Sequence, residues 1–138
     1  MPGLSAILVI ALGGAAGAVC RYAVTGPIWS ATGGKLITDP QHPRFPWGVL
    51  AVNLAGCLLI GVIAAALIDR PADDRLRFLL VTGFLGSFTT FSAFGLDTFE
   101  LLKADAPGLA LANVAASVVG GTALAAAGWI ITQRVIAS

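Results

Sequence analysis

Charge is what this chain has least of. Only 11% of its 138 residues are Asp, Glu, Lys or Arg, against 57% that are hydrophobic. Soluble domains usually hold about 25% charged and about 45–50% apolar residues. A domain of this size leaves much of its surface in water and cannot hide so much apolar matter. A lipid bilayer is the solvent this composition fits. The net charge of +1 offers no basic surface to a nucleic acid, and none is expected as a partner.

Histidine and cysteine are nearly as scarce. The single histidine, His42, stands in a loop beside prolines, and the surface is its expected place. Cys20 and Cys57 both lie inside apolar runs, where a cysteine behaves as a small buried hydrophobe. Two cysteines without metal-ligand spacing exclude a disulfide framework and a zinc site. No nucleophile–base pair, phosphate-cradling loop, HxxxH or CxxC spacing is present, so the chain is not expected to be an enzyme. A secretory signal peptide opens on positive residues. Here the first charged side chain is Arg21, so the first apolar run is expected to remain as a membrane span.

Long apolar runs are what the chain has instead. A bilayer core of ~30 Å needs about 20 apolar residues in helix, and helix is required because lipid offers no partner to bare amides. Stretches free of Asp, Glu, Lys and Arg cover residues 1–20, 45–68, 78–96 and 106–133. They predict an all-α integral membrane protein of one domain, with four transmembrane helices at about 3–25, 45–68, 76–102 and 106–134. Residues 30–44, with Gly33, Gly34, Lys35, Asp39, Pro40, His42 and Pro43, read as a loop. The connections at 69–75 and 103–107 are short and polar, which sets neighbouring spans antiparallel.

Four such spans place Arg70, Arg75, Arg77 and Arg134 on one side and Arg21, Lys35, Arg44 and Lys103 on the other. Orientation follows an asymmetry in these counts, and here there is none. The balance predicts either a weakly biased protein oriented by another signal or a chain that inserts both ways. The second case gives an antiparallel homodimer with its two-fold axis in the membrane plane.

Polar residues inside the runs are the candidates for chemistry. Gly13 and Gly17, four apart in the first span, mark a close helix contact. Arg21 and Tyr22 read as a membrane-edge pair or, for Arg21, as a cation at the mouth of an anion path. Asn53 needs partners in an apolar helix; it either bridges helices or turns its amide to a passing anion. The third span, Gly83-Phe84-Leu85-Gly86-Ser87-Phe88-Thr89-Thr90-Phe91-Ser92-Ala93-Phe94-Gly95, is poor material for a straight helix. A break is predicted near Gly86 to Thr90, at mid-membrane, where freed carbonyls suit a monovalent cation. Phe84, Phe88 and Phe91 share one helical face, which ordinarily means packing. Phe91 and Phe94, beyond the break, could instead turn their positive ring edges to an anion. Such a site would hold the ion weakly enough to release it. Asp97 and Glu100 are expected at the interface. Asn113 and Ser117, four apart in the last span, are a polar track or packing hydrogen bonds.

Three segments together resemble the CrcB/Fluc family of fluoride channels. They are Gly-Ala-Val-Cys-Arg-Tyr at 17–22, Phe-Pro-Trp-Gly followed by Val-Asn-Leu-Ala-Gly within 45–56, and Gly-Phe-Leu-Gly-Ser-Phe-Thr-Thr-Phe-Ser-Ala-Phe at 83–94. The resemblance implies an antiparallel dual-topology homodimer with two fluoride pores, each lined by both copies. It implies pore roles for Asn53, Phe91, Phe94, Ser92 and Ser117, and a vestibule role for Arg21. It implies a structural sodium ion at the dimer centre, on the backbone carbonyls of Gly86 and Thr89. Asp97 falls where the family often has glutamate. Ala93 and Val49 stand where threonine is common, and Ser87 where a second glycine is common, so Ala93 removes one hydroxyl from the polar track.

The function so implied is passive fluoride export across the cell (inner or plasma) membrane by a multi-pass protein, lowering fluoride toxicity. Two other readings were open to a four-span chain. A small proton-coupled exporter of cationic drugs needs a carboxylate within a span, and the four runs hold none. A non-transporting assembly subunit would have no use for a broken, hydroxyl-rich third span.

Overall fold

The computed structural model describes residues 3–32, 43–67 and 74–138. The expectations for His42, for the loop charges Lys35 and Asp39, and for Asp69 and Arg70 lie outside the described residues. Four helical segments are long and apolar enough to cross a membrane: Leu4–Ile28, Trp47–Leu67, Asp74–Lys103 and Pro107–Ala137. They match the four apolar runs, so the chain is a multi-pass, all-helical membrane protein.

The first segment belongs to helix α1 (Leu4–Thr32), which carries Pro27 in its last turns and runs on past the expected end near residue 25. Helix α2 (Trp47–Leu67) starts directly after Pro46. The Pro46 carbonyl accepts the Leu50 N–H at 3.1 Å, so the proline opens the helix without an amide that would go unsatisfied. At the other end Arg77 Nη2 donates to the Leu67 carbonyl at 3.1 Å, meeting one of the carbonyls a helix end leaves bare.

The third segment is not one regular helix. A short α3 (Asp74–Arg77) passes into a π-helical stretch, π1 (Phe78–Leu85), and then α4 (Gly86–Phe88). Two extended residues follow: Thr89 at φ −89°, ψ 161° and Thr90 at φ −151°, ψ 109°. Helix α5 (Phe91–Lys103) resumes with Thr90 as its N-cap, its hydroxyl accepting the Ala93 N–H at 3.2 Å. The next turn is tight. The Ala106 N–H reaches back to the Leu101 carbonyl at 3.0 Å and the Asp105 N–H to that of Leu102 at 3.1 Å. Asp105 takes the left-handed conformation, φ 54°, that this C-terminal motif demands. Pro107 then opens α6 (Pro107–Ala115), followed by a second π-helical turn, π2 (Ala116–Gly120), and α7 (Gly121–Ala137).

Small residues decide how these helices pair. α1 packs along π1, and α2 along α7. A Cβ on Gly17 would collide with the Phe84 carbonyl oxygen, and one on Gly13 with that of Leu79. Gly13 and Gly17 therefore mark the close contact their spacing predicted. In the second pair Gly61 meets the backbone of Ala125, and Gly128 that of Leu58. Lipid gives no hydrophobic drive to such pairings, so tight backbone approach supplies the attraction. Val52, Leu85 and Phe88 form the buried centre, with Ile60, Ile63 and Phe84 around it. Leu12, Val19, Leu111, Val119 and Val135 face outward, as an apolar solvent permits.

Candidate functional site at the Thr89–Thr90 interruption

The interruption is held from α2. Thr90 N–H donates to Asn53 Oδ1 at 2.8 Å, and Asn53 Nδ2 donates to the Thr90 carbonyl at 3.1 Å. One amide thus satisfies both backbone groups of one residue, as a strand neighbour would. Of the two readings open to Asn53, the interhelical bridge is present, and one Nδ2 proton remains beyond it.

The consequence falls on two carbonyls. In a continuous helix the Thr90 N–H would donate to Gly86, and the Ala93 N–H to Thr89. Here the first goes to Asn53 and the second to the Thr90 hydroxyl. The carbonyls of Gly86 and Thr89 are thereby released from their helical donors. These are the two residues to which the family resemblance assigns sodium. Neutral carbonyl oxygens suit a hard monovalent cation. Among the described residues no group of three His, Cys, Asp or Glu could hold a metal by side chains.

Arg21 comes to the same place. Its Nη1 approaches the Thr89 carbonyl at 3.5 Å, long for a hydrogen bond. The Thr89 hydroxyl donates to the Leu85 carbonyl at 2.9 Å, and its methyl presses on Gly56.

The phenylalanines divide at the interruption. Phe84 and Phe88 stack at 5.7 Å, 12° from parallel, and Phe88 is in the core. Phe91, beyond the interruption, does not continue their stripe. The two extended residues turn it away, and it stands 84% exposed. Its neighbour is Phe94, with ring centroids 5.4 Å apart and planes 43° apart. Ser92 is exposed beside them, its hydroxyl 3.2 Å from that of Thr90. Ring edges, hydroxyls and an amide can bind a small anion weakly without a full positive charge among them.

Ser117 lies in π2, and its hydroxyl is buried with no hydrogen-bond partner among the described residues. Asn113, one turn earlier, is partnered: Nδ2 donates to the Thr98 hydroxyl at 2.9 Å. The two residues thus part company as a track. Asp97 lies within α5, which continues to Lys103, as the third span expected at about 76–102 has it. Its Oδ2 is buried without a hydrogen-bond partner among the described residues. Sequence reasoning missed Thr90 as the held residue and Thr98 as a partner. A threonine preceding a helix is the capping signal that marks Thr90.

The chain has known relatives. Residues 8–129 match the model of a family described as CrcB-like protein, Camphor Resistance (CrcB). A fluoride-specific ion channel FluC of Rhizobium etli (strain CFN 42) is 43% identical over 131 residues, covering 94% of this chain and 97% of the relative. The fluoride-specific ion channel FluC of Paracoccus denitrificans is 43% identical over 130 residues, covering 94% and 96%. That of Pseudomonas putida (strain F1) is 41% identical over 131 residues, covering 94% and 98%. Matched along almost its whole length, the chain belongs to the CrcB family.

Proposed function

We propose that this chain is a fluoride-specific ion channel giving passive fluoride export across the cell membrane. The observation that carries the reading is the Phe91–Phe94 ring pair mounted directly after an interruption that Asn53 holds open. The relatives' name supports fluoride as the ion. It gives the drug-exporter alternative nothing to stand on.

In the mechanism, fluoride enters past Arg21, sheds water onto the free Asn53 proton and the ring edges of Phe91 and Phe94, and passes Ser92 and Ser117. The unpartnered Ser117 hydroxyl supports its place on that path, because a buried donor without a partner is costly unless something visits it. Weak, neutral ligands let the ion leave. The working form is an antiparallel, dual-topology homodimer with the interruption at mid-membrane depth. The 84% exposure of Phe91 supports this form, since a second copy would cover the ring. At the dimer centre the Gly86 and Thr89 carbonyls would hold a structural sodium ion. The carbonyl lone pairs of both copies would then meet on one ion, joining the two interruptions.

Fluoride efflux from liposomes loaded with the purified protein tests the reading. Fluoride should pass and chloride should not. Equal passage of both ions, or of neither, would overturn it. Tags on both termini, probed from each side of the membrane, should show two populations; a single orientation would end the antiparallel dimer.

A further inference from the structure

Asn113 is the most deeply buried polar side chain among the described residues, at 1% exposure, and the conduction path above makes no use of it. It forms the first link of a relay. Its Nδ2 donates to the Thr98 hydroxyl at 2.9 Å, and that hydroxyl donates to the Phe94 carbonyl at 2.7 Å. A hydroxyl has one proton and two lone pairs, so both bonds coexist. Each polarises the other in surroundings of low dielectric. The relay therefore runs from α6 into the backbone of the residue that carries one of the two rings.

The placement gives this relay leverage. α5 packs mainly on α6 and only lightly on α2. At its start, Thr90 is clamped by Asn53. About 12 Å of helix separates Thr90 from Thr98, and Phe91 and Phe94 lie between them. Two asparagine amides, from α2 and from α6, thus bracket the ring pair.

We propose that Asn113 is a positioning residue for the anion path. Through Thr98 it fixes the Phe94 backbone and, opposite Asn53, sets the spacing and tilt of the Phe91–Phe94 pair. It touches no ion itself. The proposal rests on the fluoride-channel reading, since the ring pair is what it positions.

The test compares the purified full chain with Asn113→Leu, Thr98→Val, the double variant and Thr98→Ser. Fluoride efflux is measured per folded protein, and amide hydrogen exchange is measured along every helix. Each single variant should slow efflux about tenfold, the effect of losing a hydrogen bond or two. The double variant should be no slower than the slower single, because both remove one relay. Thr98→Ser, which keeps the hydroxyl, should retain most of the rate. Exchange should quicken in α5 and stay as it was in α2 and α7. Unchanged efflux in Asn113→Leu, losses that multiply in the double variant, or faster exchange spread over all helices would each overturn the proposal. Were the unmodified protein to pass no fluoride, the channel reading and the ring-positioning role would fall together. The exchange pattern would still decide whether Asn113 braces α5.

Discussion

Asn53→Ala is the perturbation whose outcome follows most directly from the structure. It removes two hydrogen bonds, at 2.8 and 3.1 Å, that connect α2 to Thr90. Such bonds within membrane bundles contribute about 0.6–1 kcal/mol each, so the pair amounts to about 1–2 kcal/mol. The Thr90 N–H has a fallback: the Gly86 carbonyl lies four residues back, where a continuous helix would put its acceptor. Taking it would lengthen α4, close the interruption and swing Phe91 toward the Phe84–Phe88 face. The variant should therefore do two things at once. Unfolding in mixed detergent micelles, followed by far-ultraviolet circular dichroism, should show a loss of about 1–2 kcal/mol. Fluoride efflux per folded protein should drop tenfold or more, on the order of the 1.4 kcal/mol that one decade represents. Wild-type flux together with a stability change under about 0.3 kcal/mol would refute the reasoning, because Asn53 would then hold nothing in place.

Other perturbations probe separate parts. Replacing both Phe91 and Phe94 by leucine should abolish fluoride efflux while leaving the folded yield intact; undiminished flux would remove the rings from the path. Gly17→Ala sets a methyl against the Phe84 carbonyl oxygen, and should cost about 1–3 kcal/mol as overpacking against rigid backbone does; micelle unfolding at the wild-type midpoint would contradict the close contact. Thr90→Val removes the cap on the Ala93 N–H and should cost about 1 kcal/mol, read by the same unfolding assay. Asp105→Gly relieves a left-handed aspartate at φ 54° and should raise stability by up to about 1 kcal/mol; a lower midpoint would count against the turn as described.

The four spans were legible because a bilayer enforces long apolar runs, and nothing else in the chain satisfies that demand. Gly13 and Gly17 announced a helix contact, but their partner at Gly83 and Phe84 could not be read from spacing. An irregular third span was legible in its glycines and hydroxyls. Its extended residues, however, are Thr89 and Thr90 rather than a glycine, because a threonine can cap the next helix with its own side chain. Asn53 advertised a need for partners without naming Thr90, which is 37 positions away. The π-helical turns left no clear mark, since an extra residue per turn is a matter of packing against α1 and α2 rather than of local preference. Asp97 ends the charge-free run but not the helix, which runs on to Lys103 because a helix stops only where its capping groups do.

The pairing of α2 with α7 has a bearing on synthesis. Gly61 sits on α2, and the backbone it meets, at Ala125, leaves the ribosome only after α1, α2 and the whole third segment. α1 and π1, nearer in sequence, can lock together earlier. Until α7 emerges, then, α2 waits in lipid with its glycine face uncovered. Insertion and assembly are separate stages in such proteins, and here the second stage is delayed until α7 has entered. A nascent chain stalled before α7 would hold three spans in the membrane, with the face of α2 open to whatever insertase or chaperone is on hand.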